Sequence, residues 1–172
     1  PVFSQSLLPA VCKPFIEHKQ EKKINVIPQE SPLLEEWLSA QRHDLGLTEN
    51  TQTPAGTVRH ALMTVNEVCV LPCGHPLLEK AVLIPQDFQG ENFISLSVTD
   101  SYRQLLDNLF TEQGINRRLV LETHSAASVC AMVREGVGVS IVNPLTALDY
   151  IGAGVNEGVC IRPFSVDIPF TI

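Results

Sequence analysis

Three short polar segments of the sequence carry side chains that could bind a small charged molecule. Residues 28–31, 97–100 and 122–125 each follow an apolar run and precede a segment with helical spacing. Hydroxyl groups and main-chain N–H groups at the start of a helix bind carboxylates, and a glutamate at a strand end can hold a cation such as an ammonium group. These residue types in these positions favour a site for a small zwitterion.

Two of these polar side chains also have a purely structural interpretation. Ser125 stands where the N-cap of a helix is expected, and an N-cap serine accepts a hydrogen bond from the helix itself. Glu122 could be an edge residue that meets only solvent. On residue types alone, the binding and the structural interpretations of these two residues both stay open.

Residues 118–144, RLVLETHSAASVCAMVREGVGVSIVNP, contain the elements that would hold one polar segment in place. The apolar run 119–121 is too short for a helix and predicts a strand, and the run 137–142 predicts another. Between them lies a helix whose apolar residues recur at three- and four-residue spacing and which ends at Gly136. This strand–helix–strand order places residues 122–125 at the strand end, where ligands of open α/β sheets bind.

The first half of the chain repeats this order of elements. A predicted strand at 24–27 leads through Glu30 and Ser31 into a helix, and a second predicted strand at 44–47 ends beside Glu49. Two such units predict an α/β protein. A pair of units facing each other would form a cleft with carboxylates and helix starts on both walls.

Catalysis and metal binding find little support in the sequence. Cys69, Cys73 and His75 lack the second pair of ligands that a structural zinc site needs. His124 and Ser125 are neighbours along the chain, but neighbours do not make a catalytic triad, and no glycine-rich nucleophile elbow surrounds the serine. Neither a dinucleotide-binding glycine motif nor a phosphate-binding loop is present. We therefore expect a protein that is not an enzyme and that uses no metal or cofactor.

Composition and charge indicate the class of protein. The 172 residues are 44% hydrophobic and 18% charged, which is typical of a globular protein, and no apolar run approaches the length of a membrane span. The net charge of −7 argues against direct contact of this chain with nucleic acid. Five cysteines at irregular spacing favour a reducing, cytoplasmic setting. The abrupt start at Pro1 suggests an excised domain.

Several segments resemble the effector-binding domain of LysR-type transcriptional regulators: PVFSQSLLP, DLGLTE, EVCVLPCGHPLLE, DFQGENFISLS and ETHSAASVCAMVREGVGVSIVNPLTA. The resemblance covers nearly the whole chain, although residues 21–23 and 155–158 match the family pattern poorly. It implies a type 2 periplasmic-binding-protein-like α/β fold, in which two crossover strands join two Rossmann-like subdomains and the effector lies in the cleft. Residues 1–66 with 165–172 would form the first regulatory subdomain, and residues 67–164 the second.

The resemblance and the strand-end pattern together nominate the effector contacts. By resemblance, the family's polar clusters map onto Ser4, Gln5, Ser6, Ser95, Ser97, Thr99, Thr123, His124 and Ser125. The strand-end pattern adds Glu30, Ser31, Glu49 and Glu122. We expect the effector to be a small amino acid with two charged ends, diaminopimelate, and the resemblance implies control of lysine-biosynthesis genes.

The resemblance also implies macromolecular partners. Family effector domains pair side by side, so we expect a homodimer of this chain and a tetramer of the full-length protein. DNA would be bound only through the family's N-terminal winged helix-turn-helix, which is absent from this chain, and no membrane association is expected. The alternative is a solute-binding protein of the same architecture, which would need a secretion signal and does not favour five unpaired cysteines.

Overall fold

The chain divides into two compact units, one formed by residues 1–65 with 169–172 and the other by residues 66–168. This computed structural model describes residues 2–5, 7–19, 21–29, 33–49, 52–151 and 158–172. No helix within these ranges is long and apolar enough to cross a membrane.

Among the described residues, the first unit contains three helices and a strand pair, whose first strand extends one residue into the second unit. They are α1 (Val2–Gln5), α2 (Leu7–His18), α3 (Leu33–Ser39), β1 (Thr64–Asn66) and β7 (Pro169–Thr171). β1 and β7 are hydrogen-bonded neighbours, and the pairing continues beyond them because Leu62 N donates to Ile172 O at 2.7 Å. Thr64 and Thr171, which are 107 positions apart, share a hydroxyl hydrogen bond of 3.0 Å.

Two strands that the sequence predicts in the first unit are not formed. Residues 24–27 and 44–47 belong to no sheet in the part of the chain that the structure describes. Their apolar side chains stay open to solvent, with Ile27 44% and Leu45 76% exposed. An apolar run becomes a strand only when a neighbouring strand pairs with its main chain, and the pattern of one segment cannot supply that neighbour.

The second unit contains two sheets that Val139 joins. Their strands are β2 (Val68–Pro72), β3 (Asn92–Leu96), β4 (Arg118–Thr123), β5 (Ser140–Val142) and β6 (Val159–Pro163). β2 pairs in antiparallel with β5 on one side and β6 on the other, whereas β3 and β4 pair in parallel. Val139 N donates to Asn92 O at 2.8 Å, and Val139 O accepts from Ile94 N at 3.0 Å. The spatial order is therefore β4, β3, β5, β2, β6.

Helices connect the parallel strands and follow the last of them. They are α4 (Ser101–Glu112), between β3 and β4, α5 (Ala126–Arg134), between β4 and β5, and α6 (Pro144–Asp149). The side chains of Asp100, Ser125 and Asn143 accept main-chain hydrogen bonds at the starts of α4, α5 and α6. Gly136 follows α5 with a φ of 78°. The strand–helix–strand prediction for residues 118–144 is confirmed.

Apolar side chains alternate between the two faces of the joined sheets and bury α4 on one face and α5 with α6 on the other. α4 packs through Leu106 and Phe110 on the face of Phe93. α5 packs through Val129 and Val133 on the face of Ile94. Because Phe93 and Ile94 are successive residues of β3, their side chains point to opposite faces. The second unit is thus a three-layer α/β/α structure.

Four phenylalanine rings form an aromatic cluster on the α4 face. Phe88 lies at its centre and is fully buried. Its ring centroid is 6.0 Å from that of Phe93, 5.6 Å from that of Phe110 and 5.8 Å from that of Phe164, and all three contacts are edge-to-face. This geometry suits the charge distribution of aromatic rings and adds to the stabilisation from burial.

Gly138 lies where β3 and the start of β5 approach too closely for any side chain. A Cβ atom at this position would stand 2.4 Å from the carbonyl oxygen of Asn92 and 2.9 Å from its carbonyl carbon. That oxygen is held in place because it accepts from Val139 N at 2.8 Å. Close main-chain packing therefore requires glycine at residue 138.

Candidate functional site

The parallel pairing of β3 and β4 brings two of the predicted polar segments together. In the ladder Ser95 is the partner of Glu122, and Leu96 is the partner of Thr123. Residues 97–99 follow Leu96, and residues 123–125 begin at its partner Thr123, so the two segments lie side by side at the carboxyl edge of the sheet. We call these two segments the strand-end corner.

The chain leaves the strand-end corner toward opposite faces of the sheet. After residues 97–99 it enters α4 on one face, and after residues 123–125 it enters α5 on the other. Adjacent parallel strands whose connections diverge in this way open a crevice at their carboxyl ends, which is where open α/β sheets bind ligands. The fold thus places the predicted hydroxyl groups at a position suited to binding.

The first segment of the corner is a tight turn with two hydroxyl groups. Ser97 is buried, Thr99 is exposed, and their side-chain oxygens are 3.2 Å apart. Asp100 N closes the turn by donating to Ser97 O at 2.9 Å. The Asp100 carboxylate caps α4 by accepting from Tyr102 N at 2.9 Å and Arg103 N at 3.1 Å. Thr99 is therefore the accessible hydroxyl group of this segment.

The second segment contains Thr123, His124 and Ser125. Thr123 is half-buried at the end of β4, and His124 is exposed. Ser125 caps α5, because its Oγ accepts from Ser128 N at 3.5 Å. The structural interpretation of Ser125 as an N-cap is thus realised. The Ser125 hydroxyl can still donate its own hydrogen to a ligand, since a hydroxyl group is both donor and acceptor.

Ser95 and Glu122 lie outside the strand-end corner, on the side of the sheet that carries α4. Ser95 is buried and lines a cavity of about 10 Å³, which has room for about one water molecule and not for an effector. Glu122 Oε2 accepts from Arg103 Nη1 at 3.1 Å. The cation beside Glu122 in the structure is therefore a side chain of the same protein.

An ion-pair chain that the sequence analysis missed runs below the corner. Asp107 accepts from Arg103 through Oδ2 and from Arg117 through Oδ1. The Arg117 guanidinium lies over the rings of Phe93 and Phe110, 4.6 Å and 4.4 Å from their centroids. Burial lowers the pKa of Arg117 from its usual value. Arg103 and Asp107 are four residues apart on a predicted helix. This spacing is typical of ion pairs along a helix and could have identified the first pair of the ion-pair chain from the sequence.

The predicted contacts of the first unit are only partly within the described residues. Ser4 and Gln5 belong to α1, where Ser4 is half-buried, and Glu49 is half-buried in a bend. The side chain of Gln5 lies outside the described residues. Three further predicted contacts, Ser6, Glu30 and Ser31, lie entirely outside the described residues. The roles of all six stay predictions.

The cysteine and histidine residues considered as metal ligands have other roles in the structure. Cys69 is fully buried in the core, and burial raises the pKa of its thiol. His75 Nδ1 accepts from Leu77 N at 3.3 Å, and His75 Nε2 lies 3.5 Å from Glu91 Oε2. Cys69 therefore acts as a small core residue, and His75 stabilises the turn after β2.

A broad depression of about 440 Å³ lies on the second unit between residues 78–81 and 161–163. Arg162, the arginine in this depression, is hydrogen-bonded to main-chain carbonyl groups. Its Nε atom donates to Lys80 O at 2.9 Å, and its Nη2 atom donates to Leu78 O at 2.7 Å. Lys80, which also lines the depression, is paired with Asp87, and a broad, open depression of this kind differs from the enclosed, mostly apolar cleft of a small-molecule site. The strand-end corner remains the candidate site.

Sequence comparisons identify the family. The model of the LysR substrate binding domain matches residues 1–171. The transcriptional activator protein LysR of Escherichia coli (strain K12) is 65% identical over 172 residues, which are 100% of this chain and 54% of that protein. The chain therefore spans about half the length of this curated relative. The matched family is one of transcriptional regulators. This match confirms the prediction that the protein is not an enzyme.

Solved structures agree on the fold. The regulatory domain of CcmR from Synechocystis PCC6803, in complex with 2-PG, has a TM-score of 0.77 at 17% identity, covering 99% of this chain and 80% of that one. The BenM effector binding domain with its effector benzoate has a TM-score of 0.74 at 17% identity, covering 98% and 77%. The predicted α/β fold is confirmed. The chain belongs to the LysR substrate-binding domain family of transcriptional regulators.

Proposed function

We propose that this chain is the effector-sensing part of a transcriptional regulator and that the strand-end corner binds a carboxylate group of the effector. The observation that supports this role most strongly is the ladder of β3 and β4, in which Leu96 pairs with Thr123. It sets the hydroxyl groups of Thr99, Thr123 and Ser125 at one edge of the sheet, next to the start of α5. The dipole of that helix adds favourable interaction with negative charge.

The proposed effector is a small amino acid with two charged ends, diaminopimelate. The 65% identity to a protein named LysR supports an effector and target genes in lysine biosynthesis. The benzoate of BenM is a carboxylate, and it supports this chemical class for the fold. We assign the ammonium groups of the effector to Glu30, Glu49 and Glu122, the last of which also accepts from Arg103. The contacts of Ser4, Gln5, Ser6 and Ser31 stay part of the proposal.

Replacing Thr99 or Thr123 by valine should weaken the binding of diaminopimelate by about 10- to 100-fold. Each change removes a hydroxyl group while keeping the shape of the side chain, and a hydrogen bond to a charged group contributes about 1.5–3 kcal/mol. Titration calorimetry of the purified chain measures this loss. Thr111→Val, an exposed change near the far end of α4, is the matched control and should bind like the wild type. Absence of wild-type binding at millimolar diaminopimelate would contradict the proposal.

We also propose that two copies of this chain associate through α2. Val11, Phe15 and Ile16 leave 46–54% of their surface exposed on this helix, and an apolar face of this kind marks an interaction surface. Sedimentation at high micromolar concentration should show a dimer for the wild type and a monomer for Phe15→Glu. Val58→Glu, which also charges an exposed apolar residue of the first unit, should leave the dimer intact. A wild-type monomer under these conditions would count against the association.

The activity of the full-length regulator follows from these proposals. Its control of transcription, its tetramer, its cytoplasmic location and its contact with DNA are proposed from the family and from the 65%-identical relative. A net charge of −7 supports the assignment of DNA contact to a part of the regulator other than this chain, because phosphate groups repel an acidic surface.

A further inference from the structure

The guanidinium group of Arg103 is buried directly beneath the strand-end corner. Arg103 lies in the first turn of α4 and is only 6% exposed. Its Nη1 atom donates to Leu96 O at 2.8 Å and to Glu122 Oε2 at 3.1 Å, and its Nε atom donates to Asp107 Oδ2 at 2.7 Å. One side chain is thereby bonded to the end of β3, to β4 and to α4.

Two of the three acceptors stand immediately before the two segments of the corner. Leu96 is the last residue of β3, and Ser97 follows it. Glu122 is the residue before Thr123 in β4, and Thr123 is the ladder partner of Leu96. Arg103 therefore bonds to the main chain ahead of the first segment and to a side chain ahead of the second.

Asp107 links Arg103 to a second arginine, Arg117. Asp107 uses one carboxylate oxygen for Arg103 and the other for Arg117. Arg117 is anchored in turn because its guanidinium lies over the rings of Phe93 and Phe110. Two guanidinium groups and two carboxylates balance in charge. The Arg103 guanidinium has three hydrogen-bond acceptors, and a buried polar group that is satisfied in this way is held in one geometry.

We propose that Arg103 is a positioning residue of the strand-end corner. It sets the spacing of residues 97–99 and 123–125, so that hydroxyl groups from both segments reach the same carboxylate group. A binding group must be held within about 0.5 Å of its productive position by such supporting contacts. The consequence for effector binding rests on the proposed function, whereas the ordering of the two segments by Arg103 does not.

Amide hydrogen exchange of the ligand-free protein tests this ordering. Arg103→Met removes all three hydrogen bonds and keeps an apolar side chain of similar reach. We expect exchange at residues 97–100 and 123–126 to rise on the order of tenfold, and exchange in β2 and β6 to change less, since local opening is governed by local contacts. Arg103→Lys, which keeps the charge, replaces this variant if Arg103→Met does not fold.

Arg117→Met is the matched control for the exchange experiment. It removes an arginine from the same ion-pair chain, but Arg117 is bonded to Asp107 and Leu106 and not to Leu96 or Glu122. Its effect should not be concentrated in the corner. If the exchange of residues 97–100 and 123–126 is unchanged in the Arg103 variant, or rises equally in the Arg117 variant, Arg103 is not a positioning residue.

Calorimetry with diaminopimelate tests the consequence for binding. Arg103→Lys should weaken binding on the order of tenfold, the effect of side chains that orient metal ligands, and Arg117→Lys should bind like the wild type. If the wild type does not bind diaminopimelate, the proposed function fails and the exchange experiment still decides the role of Arg103. If the wild type and Arg103→Lys bind equally well, the positioning role is wrong and the proposed function stands.

Discussion

Replacement of Phe88 by alanine should lower the free energy of unfolding of the second unit by about 3–5 kcal/mol. Phe88 is fully buried and makes edge-to-face contacts with Phe93, Phe110 and Phe164. The change removes the apolar surface of one ring, leaves a cavity at the centre of the aromatic cluster and breaks three ring contacts. Urea unfolding followed by far-ultraviolet circular dichroism measures the loss.

Two variants check that the loss comes from the cavity. Phe88→Leu keeps most of the volume and should cost less than about 1.5 kcal/mol. Leu105→Ala changes a residue of α4 that is 52% exposed, and it should stay within about 0.5 kcal/mol of the wild type. A cost of Phe88→Ala no larger than that of Phe88→Leu would mean that the cluster closes over the cavity and contributes little to stability.

Replacement of Gly138 by alanine should destabilise the second unit by about 3 kcal/mol, the upper range for overpacking a closely packed position. The new Cβ atom would lie 2.4 Å from Asn92 O, and this oxygen is fixed by a hydrogen bond from Val139 N. The clash can be relieved only by moving main-chain atoms, which separates β3 from Val139. The same urea experiment measures the change.

Gly136→Ala provides the comparison two residues earlier in the chain. Gly136 has a φ of 78°, and a Cβ atom there would meet nothing within 4 Å. Its replacement should cost about 1–2 kcal/mol, the penalty for a left-handed conformation alone. If Gly138→Ala costs less than Gly136→Ala, the approach of the two strands is looser than the structure indicates.

The sequence predicted the second unit better than the first because its signals are local. The helical spacing before Gly136 and the apolar runs on either side are properties of neighbouring residues, and α5 and β5 form as predicted. In the first unit the runs 24–27 and 44–47 have the same apolar character but no strand pairs with them in the described ranges. Strand formation depends on such a distant partner, which a single sequence does not reveal.

The location of the candidate site in the fold could be predicted from the sequence, but most of the side-chain contacts within and below it could not. Thr99 and Thr123 lie at adjacent strand ends, as expected from the strand–helix–strand order. The pairing of Glu122 with Arg103 of α4 depends on which face of β4 the Glu122 side chain occupies. Successive side chains along a strand point to opposite faces. An error of one residue in the position of a predicted strand therefore assigns each side chain to the wrong face. Arg103 was not predicted as part of the site because an arginine in a helix is usually exposed, even where an acidic residue follows four positions later.

The pairing of β1 with β7 has a consequence for the order in which the two units can fold during synthesis. Thr64 and Thr171 are bonded although they are 107 positions apart, so the strand pair of the first unit cannot form until residues 169–171 have left the ribosome. The second unit is continuous from residue 66 to residue 168, so all of its strands have left the ribosome before that moment. Contacts between distant residues also form slowly, because a long loop must close first. The first unit, whose residues 1–65 are synthesised before the second unit, is therefore the last to complete its strand pairing.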